Sequence, residues 1–252
     1  MARPKLIILG SGAFAAESGK VRNPAGYAVA AGGRLLLFDL GFGNVRQLAR
    51  AGFAIEEVSD VFISHRHPDH VGDLAALLFT FRYGSKPKTG RLRLWGPRGF
   101  GRFLRGISSA YRPWLDPRAY RLEIRELSGG ARVARGDWTL ATMNTAHPTP
   151  TLAFRWSYKG RSLVYSGDTG YAPGLAEFAS GCDLLLLECT VSRRDRVEGH
   201  LNPRQALGLI DQSRCRRAIL THLSRASARE ASRLLRRRPD IRLAEDLSRF
   251  EI

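Results

Sequence analysis

The residues of this chain that are best suited to chemistry lie in one stretch, residues 62–74. Within it, His65, His67, Asp69 and His70 follow the pattern H-x-H-x-D-H. Neutral imidazole and carboxylate groups are ligands of zinc, and also of manganese or ferrous iron, and no cysteine lies nearby. In a tight turn, His65 and His67 can share one face while Asp69 and His70 point the other way. This arrangement suits two adjacent metal ions better than one.

The alternative interpretation of this stretch is a solvated loop that is rich in histidine by chance. The chain has six histidines in 252 residues, and three of them fall within six positions. The flanking segments also favour a site. Residues 60–64 are apolar and β-branched, which predicts a buried strand, and residues 74–78 predict a helix. The polar groups between them can therefore converge on one point without being packed into the core.

Four more polar residues occupy the same kind of position, in turns after or between predicted elements. They are His147, Asp168, His200 and His222. For any one of these histidines alone, a structural role would be the better interpretation. Because His147 and His222 each follow an apolar strand, we interpret them as parts of the same site. His200 lies in a polar loop, where a structural role stays an open alternative.

The rest of the chain alternates strands and helices without repeats or low-complexity linkers. Its 252 residues suit one α/β domain spanning residues 1–252. Strands are predicted at 6–9, 27–30, 35–38, 60–64, 92–95, 120–127, 138–144, 151–158, 161–165, 183–187, 218–221 and 241–244. Helices are predicted at 45–51, 74–78, 99–110, 203–211 and 226–237. Asn202 is the predicted cap of the fourth helix, with Pro203 at its first position.

The net charge of +17 arises from 35 arginines and 5 lysines against 23 acidic residues. Arginines are dense in residues 91–105, 193–196 and 233–238. One interpretation is an anionic partner, either a nucleic acid or another phosphate ester. The other is a solvated surface in a protein from a genome that favours arginine codons. The sequence leaves both open.

The cysteines and the N-terminal segment give indications of the cellular compartment of the protein. Cys182, Cys189 and Cys215 have no metal-type spacing, and an odd number argues against a disulfide framework and for a reducing compartment. We expect all three to be buried and inert. The N-terminal segment 1–15 imitates a secretory signal, but its apolar run of four residues is too short for one. No run is long enough to span a membrane, and we expect a cytoplasmic protein.

The motifs together resemble the metallo-β-lactamase-fold hydrolases, and within them the branch of ribonuclease Z and related phosphodiesterases. The resemblance spans nearly the whole chain. Besides H-x-H-x-D-H and Gly167-Asp168-Thr169, it is carried by Gly10-Ser-Gly12 with Arg22-Asn-Pro24, Phe38-Asp-Leu-Gly41, Gly199-His-Leu-Asn-Pro203 and Thr221-His-Leu-Ser224.

The resemblance implies an αββα four-layer sandwich of the α/β class, with two zinc ions at one rim. It implies that the first zinc is held by His65, His67 and His147. It implies that the second zinc is held by Asp69, His70 and His222. Asp168 is the implied bridge between the two ions, and His200 is the implied proton donor to the leaving group. Manganese or ferrous iron could replace zinc, and a homodimer is an assembly that the prediction leaves open.

One departure from the family concerns the long arm with which its tRNA-cutting members grip tRNA. In the common bacterial form the arm is inserted between the residues that correspond to His147 and Asp168, here only 21 positions apart (168 − 147) and occupied by a predicted hairpin. Residues 98–118 could be a reduced version of the other form of the arm. A true β-lactamase is disfavoured because the bridging position is an aspartate rather than a cysteine.

These features lead to a main hypothesis and two alternatives. The main one is a dinuclear zinc phosphodiesterase acting on RNA ends or on small or cyclic phosphodiesters. A hydroxide bridging the metals would attack, Asp69 would orient it, and His200 would protonate the leaving oxygen. The alternatives are a thioester or lactone hydrolase on the same scaffold and a non-catalytic, zinc-containing nucleic-acid-binding protein.

Three acidic residues are candidates to fix the tautomers of the histidines. Asp60, Asp73 and Glu188 each lie near a predicted element end, where a carboxylate could accept a hydrogen bond from an imidazole N–H. The alternative for each of them is a role as a helix cap or a turn residue.

Overall fold

The computed structural model describes residues 3–13, 21–195 and 197–252. The strands in these ranges are β1 (Lys5–Gly10), β2 (Gly26–Ala31), β3 (Arg34–Leu40), β4 (Val58–Phe62), β5 (Gly90–Pro97), β6 (Tyr120–Leu127), β7 (Arg132–Arg135), β8 (Trp138–Asn144), β9 (Leu152–Tyr158), β10 (Arg161–Tyr165), β11 (Leu184–Glu188), β12 (Ala218–Thr221), β13 (Ile241–Leu243) and β14 (Arg249–Glu251). The α-helices are α1 (Asn44–Arg50), α2 (Pro68–Val71), α3 (Leu74–Tyr83), α4 (Phe100–Ala110), α5 (Pro173–Phe178), α6 (Pro203–Ser213) and α7 (Arg225–Leu234). Short 3₁₀ turns occur at Ile55–Glu57 and Leu235–Arg237.

The strands form two seven-stranded sheets. The first has the order β14-β1-β2-β3-β4-β5-β6 and is parallel from β3 to β6. The second has the order β13-β12-β11-β10-β9-β8-β7 and is parallel from β10 to β13. The parallel strands are the ones that matter for the site, because their carboxyl ends lie together at one edge of each sheet.

The two sheets pack face to face, with helices on both outer faces. Side chains alternate along each strand, so that on β3 Leu36 and Phe38 enter the core between the sheets while Leu35 and Leu37 face the helices. The core between the sheets is rich in aromatic rings, and Phe38 and Phe62 stack at 4.9 Å between ring centroids. This is the αββα sandwich that the resemblance implied.

Most predicted elements are present, and the departures have local causes. The segment 98–118 is not a reduced arm: α4 buries Phe100 and Leu104 against the first sheet and is part of the outer layer. The strands β7 and β14 were not predicted, because β7 is a mostly exposed Arg-Val-Ala-Arg strand and β14 has three residues. The short helices α2 and α5 were not predicted either.

Two further expectations can be compared with the structure. Cys182 and Cys189 are buried as expected, whereas Cys215 is only partly buried. Among the described residues, no helix combines the length and the apolar character that crossing a membrane requires. The segment 1–15 falls partly outside the described residues, as does Arg196 of the second arginine cluster.

The inter-sheet core yields a prediction about stability. Trp156 is fully buried between the sheets, so Trp156→Ala is expected to lower the free energy of unfolding by about 3–5 kcal/mol. Phe79→Ala is the control, because the Phe79 side chain is largely exposed on α3, and it is expected to cost less than about 0.5 kcal/mol. Urea unfolding followed by tryptophan fluorescence or circular dichroism measures both; equal losses would contradict this account of the core.

Candidate metal centre

The residues that sequence analysis selected for chemistry come together at one rim of the sandwich. Their donor atoms form three overlapping groups, and within each group the atoms lie within 4.8 Å of one another. The groups are His65, His67, His147 and Asp168; Asp69, His70 and His222; and Asp168, His200 and His222. All eight candidate residues therefore lie in one cluster.

Most members of the cluster lie a few residues beyond the end of a strand. His65 lies three residues after β4, Asp168 three residues after β10, and His222 directly after β12. The H-x-H-x-D-H segment is not a plain turn, because its second half forms the four-residue helix α2, which carries Asp69 and His70. Both sheets thus contribute ligands to one rim.

Asp168 lies between the two main groups of donors. One of its oxygens is 3.5 Å from Nε2 of His65, and the other is 3.3 Å from Nε2 of His70. His70 and His222 approach each other through their Nε2 atoms at 3.1 Å, and Nε2 of His222 is 3.2 Å from the Asp69 carboxylate. A single carboxylate therefore faces both groups, which is the arrangement that a bridging ligand needs.

The cluster passes a simple test for metal binding. Nε2 of His65 and Oδ1 of Asp168 are buried, and neither forms a hydrogen bond with any residue that the structure describes. Buried polar atoms are nearly always satisfied in native proteins, since leaving one unpaired is costly. A cation bound among these donors would satisfy both atoms, and nitrogen and carboxylate oxygen without thiolate are suitable zinc ligands.

The electrostatics of the cluster favour positive charge. Burial acts to lower the pKa of His70, but Asp168 and Asp39 outweigh it and raise that pKa well above its ordinary value. Burial acts to raise the pKa values of Asp69 and Asp168, but the neighbouring histidines hold both well below the usual range. Burial, with the nearby His70, lowers the pKa of His65 to about 2. The carboxylates stay ionised and His65 stays neutral, as metal binding requires.

Asp39, at the end of β3, is a residue that sequence analysis did not select. Its buried carboxylate accepts hydrogen bonds from Nδ1 of His70 at 2.7 Å, from the backbone N–H of Ser64 at 2.6 Å and from the hydroxyl of Ser64 at 2.7 Å. Nδ1 of His65 lies 3.0 Å from that same hydroxyl. Because Ser64 donates its proton to Asp39, its oxygen is left to accept from His65, so Nε2 of both histidines is free to bind a metal.

Glu188, at the end of β11, does the same for the other side of the site. Its carboxylate is 2.9 Å from Nδ1 of His200 and accepts a hydrogen bond from the hydroxyl of Thr190, also at 2.9 Å. The oxygen of Thr190 is in turn 2.7 Å from Nδ1 of His222. Each buried carboxylate thus holds one imidazole directly and a second one through a hydroxyl group.

The other two acidic candidates have different partners, which favours the alternative of a structural role for both of them. Asp60 accepts hydrogen bonds from the indole N–H of Trp95 at 2.9 Å and from Arg93 at 3.4 Å. Asp73 accepts from the backbone N–H of Val45 at 2.8 Å, at the start of α1. Neither carboxylate bonds to an imidazole. The sequence signal for Asp39 was its position at the end of an apolar strand, before the glycine-containing turn.

Gly41 explains why that turn contains glycine. A Cβ atom at this position would overlap with the backbone carbonyl oxygen of Asp69. The backbone of the turn after β3 therefore packs directly against α2, which carries two of the candidate ligands. Any larger residue at Gly41 has to displace that helix.

A cavity of about 340 Å³ lies against the cluster. Five of the candidate residues line one side of it: His67, Asp69, Asp168, His200 and His222. Thr190, Val191, Asp195 and Val197 are on the loop that lines the other side. Since Nδ1 of His200 is held by Glu188, its Nε2 is left for the cavity.

The comparisons with known proteins agree with this geometry. A family profile described as "Beta-lactamase superfamily domain" matches residues 34–223, a range that contains all eight candidate residues. An uncharacterized protein of Mycobacterium tuberculosis is 32% identical over 198 residues, which cover 77% of this chain and 72% of the relative. The ribonuclease Z of Brevibacillus brevis is 26% identical over 270 residues, covering 86% of this chain and 84% of the relative.

Among solved structures, the metallo-β-lactamase-fold protein YhfI from Bacillus subtilis is similar with a TM-score of 0.83 and 21% identity, over 99% of this chain and 100% of the other. This likeness concerns the fold. Together with the family profile and the ribonuclease Z relative, it leads to one conclusion: the chain belongs to the beta-lactamase superfamily, as a metallo-β-lactamase-fold hydrolase of the ribonuclease Z-like branch.

Proposed function

We propose that this hydrolase is a dinuclear zinc phosphodiesterase. The single observation that carries the proposal is the placement of Asp168 between two groups of three donors, beside a cavity that His200 also lines. In the proposed assignment His65, His67 and His147 hold one zinc, and Asp69, His70 and His222 hold the other. When bound, the cations activate water as Lewis acids and neutralise the charge that develops on the phosphoryl oxygens.

Asp69 has a second role beyond binding metal. Its carboxylate is partly exposed to the cavity, and its pKa is held low by the neighbouring histidines. An ionised carboxylate at this position can accept a hydrogen bond from the attacking water and orient it toward phosphorus. We therefore assign Asp69 to positioning the nucleophile.

His200 is the proton donor in this proposal. Burial acts to lower its pKa, but the hydrogen bond and charge of Glu188 raise it on balance. A protonated imidazole that is anchored at Nδ1 can deliver the proton on Nε2 to the leaving oxygen. General acid catalysis of this kind contributes roughly 10²–10⁴ in rate.

A phosphodiester accounts for these features better than a thioester or a lactone does. A dedicated acid beside the cavity is most useful when the leaving group is a basic alkoxide, and the net charge of +17 suits an anionic substrate. The relative that is a ribonuclease Z supports the same class. The interval from His147 to Asp168 is filled by the β9–β10 hairpin, so a long tRNA-gripping arm is absent there. We therefore propose RNA or a smaller phosphodiester as the substrate, without assigning precursor tRNA.

The proposal is tested by metal removal combined with a substrate panel. The zinc-loaded chain is expected to hydrolyse bis(p-nitrophenyl) phosphate, to lose activity with dipicolinic acid and to regain it with zinc or manganese. His67→Ala is expected to lose bound metal and activity together, measured by elemental analysis and initial rates. Faster turnover of a thioester or lactone would instead support the alternative hydrolase. No turnover at full metal content would support a non-catalytic protein.

The role of His200 gives a separate prediction. His200→Ala is expected to keep two metals per chain but to lower kcat by about 10²–10⁴ on a dinucleotide, whose leaving group is an alkoxide. The loss is expected to be smaller on bis(p-nitrophenyl) phosphate, because p-nitrophenolate leaves with little need for a proton. Val197→Ala, at the same cavity, is the control. Full activity of His200→Ala on the dinucleotide would refute the assignment.

The role of Asp39 can be separated from that of the other buried aspartates. Asp39→Asn is expected to weaken zinc binding by about 10–100-fold, because the hydrogen bonds that orient His65 and His70 are disturbed. Asp60→Asn is the matched control: it is also buried beside the first sheet but bonds to Trp95 and Arg93. Competition with a chromogenic chelator measures both affinities. Equal effects of the two substitutions would mean that Asp39 acts only through stability.

A further inference from the structure

A second cavity of about 370 Å³ adjoins the one at the metal centre. Ala13 and Ser224 line both cavities, so they form a shared wall. Leu223 and Ser224 in this wall directly follow the proposed ligand His222. Because the two cavities share these residues, a substrate bound at the metal centre can reach from one cavity into the other.

The second cavity has a cationic side formed by α7. Arg225 and Arg229 line it, are exposed, and lie four residues apart, so they project from the same face of the helix. Neither guanidinium forms a hydrogen bond or an ion pair with any residue that the structure describes. In contrast, Arg238, which follows the end of α7, forms ion pairs with both Asp211 and Asp240.

Two other charged residues line the cavity and contribute to the net charge of its lining. Arg22 is held in place, because its guanidinium donates to the hydroxyl of Ser11 at 2.8 Å and to the carbonyl of Ala244 at 2.6 Å. Glu245 is exposed and is the one acidic residue among the described residues that line the cavity. Among these described residues three arginines accompany one glutamate, so this part of the lining has a net positive charge.

The rest of the described lining is mostly apolar, with Ser224 and Ser232 as its polar residues. Val21, Leu223, Ala228 and Leu243 line the cavity between the charged groups. An apolar wall beside cationic groups suits a ligand that carries a sugar or a base next to a phosphate. The cavity volume is at the lower end of the range for small-ligand sites.

We propose that this second cavity binds a second phosphate of the substrate, together with the nucleoside that joins it to the scissile phosphodiester. The proposal rests on the proposed function and narrows it to substrates that carry two phosphates. Arginine is the side chain best suited to the task, since its planar guanidinium donates two parallel hydrogen bonds to phosphate oxygens. The second phosphate is either the next one in an oligonucleotide or the terminal one of a small nucleotide.

The inference is tested first by binding, which needs no turnover. Calorimetry on the zinc-loaded chain compares thymidine 3′,5′-bisphosphate with thymidine 5′-monophosphate and thymidine 3′-monophosphate. The bisphosphate is expected to bind at least about tenfold more tightly than either, since its second phosphate adds charge-assisted hydrogen bonds to the arginines. The double variant Arg225→Ala/Arg229→Ala is expected to abolish this difference.

The control variant removes the same charge elsewhere. Arg233→Ala/Arg237→Ala has the same spacing, and both residues are exposed but do not line the cavity. It is expected to keep the preference for the bisphosphate. If the parent chain binds the bisphosphate no more tightly than the monophosphates, or if both double variants lose the preference equally, the inference is wrong.

Turnover then separates this inference from the proposed function. The first pair of substrates is thymidine 5′-(p-nitrophenyl phosphate) with and without an added 3′-phosphate. The second pair is thymidine 3′-(p-nitrophenyl phosphate) with and without an added 5′-phosphate. The added phosphate is expected to lower KM about tenfold in one of the two pairs, whereas bis(p-nitrophenyl) phosphate is hydrolysed equally by parent and variant. Hydrolysis without any gain in either pair overturns the inference alone, whereas absence of hydrolysis of every diester, bis(p-nitrophenyl) phosphate included, overturns the proposed function and with it the inference. A short oligonucleotide that binds more tightly than the bisphosphate would identify the second phosphate as that of a strand.

Discussion

The hydrogen bonds of two buried carboxylates, Asp39 and Glu188, are the interaction on which the candidate site depends. Each accepts from one imidazole directly and from a hydroxyl that is in contact with a second. Four of the six histidines are oriented in this way: His65, His70, His200 and His222. An imidazole has two nitrogens and can rotate, so a cluster of histidines alone would not define a metal site. The carboxylates determine which imidazole nitrogen faces the centre. Because a buried ionised group has to be paired, these hydrogen bonds are costly to break and the orientations are held firmly.

Each carboxylate belongs to a different sheet, and contacts between the sheets hold them in register. The hydroxyl of Tyr165 on β10 donates to Asp39 on β3 at 2.5 Å, and the hydroxyls of Tyr27 on β2 and Thr221 on β12 are 2.9 Å apart. These bonds join the two halves of the sandwich at the rim where the ligands converge. The hydrophobic core brings the faces together without specifying direction, whereas these polar contacts fix how one rim meets the other.

Local signals in the sequence predicted an α/β domain and selected all eight residues that the structure brings together, whereas the αββα arrangement was implied by the family resemblance. Apolar runs predicted the strands, and H-x-H-x-D-H needed only six adjacent positions to indicate a metal site. The partners of the buried acids could not be predicted, because they depend on contacts between distant segments. Asp39 is 31 positions from His70 and 126 from Tyr165. In the sequence Asp60 looked equally suitable to accept a hydrogen bond from an imidazole, but the neighbouring strand places Trp95 beside it. The strand β7 was missed because it is short, two of its four residues are arginines and none of its side chains is fully buried.

The candidate ligands come from both sheets, and this has a consequence for the amount of the protein in the cell. His65 and His67 follow a strand of the first sheet, whereas Asp168 and His222 follow strands of the second. In the proposed assignment each cation takes ligands from both sheets, so it would link the two halves and would bind only when they are assembled. By mass action, a ligand at 100 times its dissociation constant adds about 2.7 kcal/mol to the stability of the state that binds it. Scarcity of metal would then lower the amount of the protein, because unassembled chains are degraded. It would also lower the catalytic rate.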